Sequence, residues 1–169
     1  MGLVRTSAKT GEAASVIGAG AAPGRRARIA AVIEVRLSQL VVVEKGGYQF
    51  VRLEECEPAS TAGRRVLTLV IGPAEAAEIG RCLSKEQTLR PLTHQLAFDI
   101  LSRLGGKIER LVIHDLRDST YYGRLDLATP QGPVELDCRP SDGIALSLRA
   151  GTPIFVAEKV MAEAGTVPG

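Results

Sequence analysis

Val134-Glu-Leu-Asp-Cys-Arg-Pro-Ser-Asp142 changes its period within nine residues. Val134, Leu136 and Cys138 alternate with charged side chains, the pattern of a strand with one apolar face. Pro140 then opens a helical pattern that runs to Arg149 and is stopped by Gly151 and Pro153. A shift of 67 residues lays Leu67-Thr-Leu-Val-Ile-Gly-Pro-Ala-Glu75 on this stretch, strand on strand and Pro-x-acid on Pro-x-acid. The preceding strands match at a shift of 72, with Arg52-Leu-Glu54 falling on Arg124-Leu-Asp126. The pattern predicts a doubled β-β-β-α unit.

Working outward, β-branched and alternating segments predict strands at about 30–44, 47–56 and 64–71, separated by Gly46-Gly47 and by the turn-rich Pro58-Ala-Ser-Thr-Ala-Gly63. Pro73 opens a helix with Ala76, Ala77, Ile79, Gly80 and Leu83 toward a core. A second helix follows Arg90-Pro91, carries Ala97, Phe98, Leu101 and Leu104 at helical spacing, and ends at Gly105-Gly106. Strands are then expected at 107–116, 119–128 and 133–138, and the helix at 140–149 leads to a short strand at 153–156 and a last helix to Ala164. Strands joined as hairpins and followed by helices give an α+β fold, a mixed and largely antiparallel sheet with packed helices. Residues 29–165 form the expected domain, 166–169 a C-terminal tail, and 1–28, rich in Gly, Ala, Ser and Arg, a flexible basic tail.

A chain of 169 residues with 45% hydrophobic content suits one soluble domain with one core. No apolar run approaches the roughly 18 residues of a membrane span, and no signal-peptide segment is visible, so the expectation is a cytoplasmic protein without a membrane partner. Cys56, Cys82 and Cys138 are widely spaced and form no metal or redox motif; they read as core thiols. The net charge of +2 is unevenly divided. Residues 1–28 hold Arg5, Lys9, Arg25, Arg26 and Arg28 against Glu12, a balance of +4; subtracted from 21 basic and 19 acidic residues, this leaves 16 and 18, or −2, for the domain. A protein that binds polyphosphate over a broad surface shows a basic surplus, so nucleic-acid binding here would rest on a local patch or on the tail.

Four strings, Ile71-Gly-Pro-Ala-Glu-Ala76, Arg90-Pro-Leu-Thr-His94, Asp115-Leu-Arg-Asp-Ser-Thr-Tyr-Tyr122 and Arg139-Pro-Ser-Asp-Gly-Ile-Ala-Leu146 running into Arg149-Ala-Gly-Thr-Pro-Ile-Phe155, resemble the bifunctional nuclease family and occur in the family's order. Val70 stands where that family usually has tryptophan, and Gly143 where it usually has alanine. The resemblance implies a nuclease hydrolysing DNA and RNA with low sequence preference, hence nucleic acid as partner. It brings no residue-level scheme with it.

The chemistry is therefore argued from residue types. Phosphodiester hydrolysis needs an activated water and positive charge near the reacting phosphate, often from magnesium or manganese held by carboxylates. Asp115 and Asp118, flanking Arg117 where a strand gives way to a hairpin, are candidate catalytic and metal-binding groups, with Asp142 a third possible metal ligand. His94, after a candidate helix cap at Thr93, is the candidate acid or base. Arg117 and Arg139 are the candidate phosphate contacts. Plain structural readings stand beside these. Aspartates in a hairpin bond to their own backbone, Glu75 and Asp142 in first helical turns satisfy amides, and Arg139 pairs with Asp137 or Asp115. Tyr121 and Tyr122 alternate, so one offers a stacking face and the other packs inward. His114 reads as buried on one sheet face. On those readings the alternative is a non-catalytic oligomeric binding or regulatory domain, self-association following from strand edges in a small sheet, or a regulator that binds nucleic acid through its Arg-rich tail.

Overall fold

The computed structural model describes residues 31–43, 48–58, 61 and 63–167; the expected basic tail at 1–28 and the Gly46-Gly47 turn lie outside them. Strands β1 (Val32–Val41), β2 (Gln49–Glu55) and β3 (Val66–Ile71) form an antiparallel meander that leads into α1 (Pro73–Ser84) and α2 (Thr93–Arg103). A second meander, β4 (Lys107–Arg117), β5 (Thr120–Thr129) and β6 (Gly132–Cys138), leads into α3 (Pro140–Ala150), β7 (Ile154–Ala157) and α4 (Glu158–Ala164). The sheet order is β3-β2-β1-β7-β4-β5-β6. Strand β7 joins the meanders, antiparallel to β1 and parallel to β4, which makes the sheet mixed and largely antiparallel.

The sheet alternation supplies the core. Val51 and Leu53 on β2, Leu67 and Leu69 on β3, Leu111 and Ile113 on β4 and Leu125 on β5 are buried, and they meet Ile79 of α1, Ile144 of α3 and Val160 and Met161 of α4 in one cluster. Helix α3 presses closely on β4 because residue 143 lacks a side chain: a Cβ at Gly143 would lie 2.5 Å from Leu111 Cδ1. Val70, by contrast, is 67% exposed. The tryptophan it replaces would therefore occupy surface rather than core.

Strand β6 lies at an edge of the sheet. Val134, Leu136 and Cys138 pair with Leu127, Leu125 and Gly123, so they share the core side of β5. Val134 and Leu136 nonetheless remain exposed on this edge strand, and Cys138 is half-buried. Thr166, expected in a tail, exchanges backbone hydrogen bonds of 2.7 and 3.0 Å with Val66, so pairing with the sheet reaches past residue 165. No helix among the described residues is long and apolar enough to cross a membrane.

Candidate active site

Helices α1 and α3 begin alike, with proline in the first turn and an acid two residues later, Glu75 and Asp142. Neither helix has a side-chain cap. Instead, both carboxylates converge on Arg139, the residue before α3. Its Nη2 donates to Glu75 Oε1 at 2.7 Å and its Nε to Asp142 Oδ2 at 2.8 Å. This corrects the expectation that Arg139 pairs with Asp137 or Asp115. An arginine at a helix N-terminus faces an unfavourable dipole, and two carboxylates offset it here. The guanidinium stays 68% exposed.

Helix α2 brings the third component. Its cap residue is Leu92 rather than Thr93, and no side chain caps it, so His94 stands in the first turn with its ring turned toward α3. His94 Nε2 donates to Asp142 Oδ1 at 3.0 Å. An ionised carboxylate only accepts, so this bond assigns the imidazole proton to Nε2 and leaves the Nδ1 lone pair available when the ring is neutral. Burial works to raise the Asp142 pKa, but the hydrogen bonds from Arg139 and His94 outweigh it and hold the carboxyl below its ordinary value. The first turns of three helices thus meet at one place, each presenting the positive end of its dipole. The open cleft between them has a volume of about 630 Å³ and is lined by Glu75, Arg81, His94, Arg139 and Asp142.

The cleft floor is a charged network that sequence inspection overlooked. Glu78 is buried at 1% exposure in α1 and is held by Arg81, at 2.9 Å, and by Arg149 of α3. Arg149 also donates to Gln95 of α2, so the network ties the three helices together. Burial would raise the Glu78 pKa, yet the hydrogen bonds from Arg149 and Arg81 bring it below its ordinary value. The available signal was a glutamate between Ala76 and Ile79 on the buried side of an amphipathic helix, with an arginine three residues on.

The remaining candidates stand elsewhere. Asp115, 8% exposed, bonds to Lys159 of α4, to Arg117 and to the Leu116 amide. The Lys159 hydrogen bond, helped against partial burial by Arg117, draws its pKa down to about 2. Asp118 and Ser119 join β4 to β5 with φ of 47° and 60°, the positive pair of a type I′ hairpin turn. Neither Asp115 nor Asp118 lines the cleft. Asp115, Asp118 and Asp142 are therefore not gathered as one metal site. Among the described residues no group of three His, Cys, Asp or Glu side chains is arranged to hold a metal ion, and in the cleft the Arg139 guanidinium lies between Glu75 and Asp142, where a shared cation would sit. Arg117 is 68% exposed and lies over the Tyr122 ring at 5.4 Å, whereas Tyr121 packs against the core. The register shift between Ile113 and Asp115 admits His114 as an extra residue. His114 is half-buried, and burial, then Arg124, lowers its pKa and favours the neutral ring. Thiol chemistry is disfavoured: burial pushes Cys138 up to about 12, and Cys56 and Cys82 are raised by the same cause.

Residues 59–168 match the family model of the bifunctional nuclease domain, a stretch that contains α1, α2, α3 and the whole cleft. This chain belongs to the bifunctional nuclease domain family. Two uncharacterized proteins of Mycobacterium tuberculosis, from strains CDC 1551 / Oshkosh and ATCC 25618 / H37Rv, are each 40% identical over 103 residues. That aligned stretch covers 61% of this chain and 61% of each relative.

Proposed function

We propose that this bifunctional nuclease domain protein hydrolyses phosphodiester bonds of DNA and RNA, with low sequence preference, at the cleft where α1, α2 and α3 begin. The observation that carries the reading is the His94–Asp142 pair, 3.0 Å apart in an open cleft beside the exposed Arg139. His94 Nδ1 takes a proton from water as the water oxygen attacks phosphorus, and Asp142 stabilises the imidazolium that forms. Charge building on the phosphoryl oxygens faces Arg139 and three helix N-termini. The bond to the leaving ribose or deoxyribose oxygen then breaks, and that oxygen takes up a proton. Low sequence preference follows because phosphate contacts carry no base information. Asp115, Asp118 and Arg117 have structural duties in this reading, in the α4 ion pair and the hairpin.

A second reading, a non-catalytic binding or regulatory domain, is favoured by one observation: Arg139, Arg81 and Arg149 are all engaged by Glu75, Asp142 and Glu78. The experiment that separates the two applies purified protein to end-labelled single- and double-stranded DNA and RNA, with magnesium, with manganese or with chelator, and uses light scattering to record the oligomeric state. The nuclease reading expects cleavage of DNA and RNA that co-elutes with the protein through successive columns. Activity that separates from the protein would leave the binding reading. Activity abolished by chelator would add the expected magnesium or manganese to the scheme.

A further inference from the structure

The cleft does not end at His94. Past Glu78, Arg81 and Leu92, which border both spaces, a second hollow of about 560 Å³ opens between the end of α1, the 85–92 loop and α2. Its character differs from that of the cleft. Three cations and three carboxylates line it, so its charges cancel, and a free phosphate has little to gain there. Pro91, Leu92 and Leu148 supply apolar walls, while Gln87 supplies a neutral amide and Thr88, whose hydroxyl donates to the Arg90 carbonyl at 2.7 Å, an acceptor oxygen. The Gln87 side chain is exposed and makes no hydrogen bond to a described residue. A space whose charged groups balance, with an apolar patch at Pro91, Leu92 and Leu148 and neutral hydrogen-bonding groups beside it, fits a neutral heterocycle with a polar edge.

We infer that this hollow is a nucleobase subsite, holding the base next to the phosphate that is cleaved at His94. The inference rests on the nuclease reading of the adjoining cleft and adds to it a division of labour. Arg139 and the helix N-termini meet the backbone phosphate, and the 85–92 loop meets the base. Gln87 offers both a donor and an acceptor, so every base can be accommodated. The near-neutral site also explains how a domain of net charge −2 can take a polyanion as substrate: part of the attraction comes from base burial.

The test compares wild-type protein and Gln87→Ala on three substrates: a single-stranded oligonucleotide, the same oligonucleotide with abasic sites, and a strand built wholly of abasic tetrahydrofuran units, which has diesters but no base. The subsite predicts that wild type cleaves the abasic strand with kcat/KM lower by about tenfold or more, the loss of about 1.4 kcal/mol of binding to the base. It also predicts that Gln87→Ala raises KM on the intact strand several-fold and leaves the base-free strand unchanged. Equal rates on intact and abasic strands, or a variant that slows all three substrates alike, would overturn it. Should wild type cleave none of the three, the nuclease reading fails, and anisotropy of the labelled strands decides the subsite separately. Tighter binding of the intact strand than of the abasic one, weakened by Gln87→Ala, sustains it; equal binding removes it.

Discussion

Glu78 and Asp142 illustrate how one functional group, the carboxylate, takes different parts within a single cleft. Glu78 is buried beneath Arg81 and Arg149, and its removal would leave two guanidinium groups facing each other in a partly desolvated space. Breaking such a pair from one side costs about 3–5 kcal/mol, so Glu78→Ala is expected to lower unfolding free energy by about that amount in urea titrations. A change under about 1 kcal/mol would show that the network is solvated. Asp142 is half-buried and bonded to His94, and under the proposed mechanism its replacement is expected to act on proton transfer more than on stability. Asp142→Asn keeps the shape, but its amide can present an oxygen or a nitrogen to His94 and so loosens the choice of tautomer. Little of this was legible in sequence. His94, Arg139 and Asp142 stood out as chemistry-bearing residues in family-like strings, but their spacing, 45 residues between His94 and Arg139, does not announce contact. Glu78 was hidden because a charge on a helix is ordinarily solvent-facing.

The elements themselves were far easier to read than the contacts between them. Pro73 and Pro140 mark the starts of α1 and α3, and the alternation of Val51, Leu53 and Glu55 or Leu67, Leu69 and Ile71 marks strands, because both signals are local. At β6, alternation reports which side a residue faces, while exposure depends on what covers that side, a non-local fact. The β4–β5 hairpin allows a direct test. With positive φ at Asp118 and Ser119, Asp118→Gly should be neutral or slightly stabilising, whereas Asp118→Val should cost about 1–2 kcal/mol, measured by thermal unfolding. The reverse order would show that the aspartate is kept for its carboxylate. On α3, Gly143→Ala gains about 1 kcal/mol of helix propensity but drives a methyl to within 2.5 Å of the fully buried Leu111, an overpacking cost of about 1–3 kcal/mol. A net loss of stability is expected; a gain would mean that Leu111 has room to turn.

Charge pairing across the whole molecule sets its response to acid. Glu78, Asp115, Asp142 and Glu158 all titrate below their ordinary values in the folded protein, Asp115 at about 2. Their stabilisation is complete above the unfolded carboxylate range and is lost as the pH falls through the folded values. Urea midpoints should therefore hold steady at neutral pH and fall between about pH 4 and pH 2, less steeply in Asp115→Asn. A midpoint independent of pH over that interval would mean that these ion pairs survive unfolding or never form. The same frame of pairs positions three helix starts around one cleft, which is the central claim about function. That claim is tested most directly by kcat/KM on labelled single-stranded DNA and RNA for wild type, His94→Ala, Asp142→Asn and Asp118→Ala, with circular dichroism confirming that each is folded. The account predicts a loss of about 100-fold or more for His94→Ala, a smaller loss for Asp142→Asn, and activity near wild type for Asp118→Ala. Wild-type activity in His94→Ala, or a collapse in Asp118→Ala alone, would contradict it.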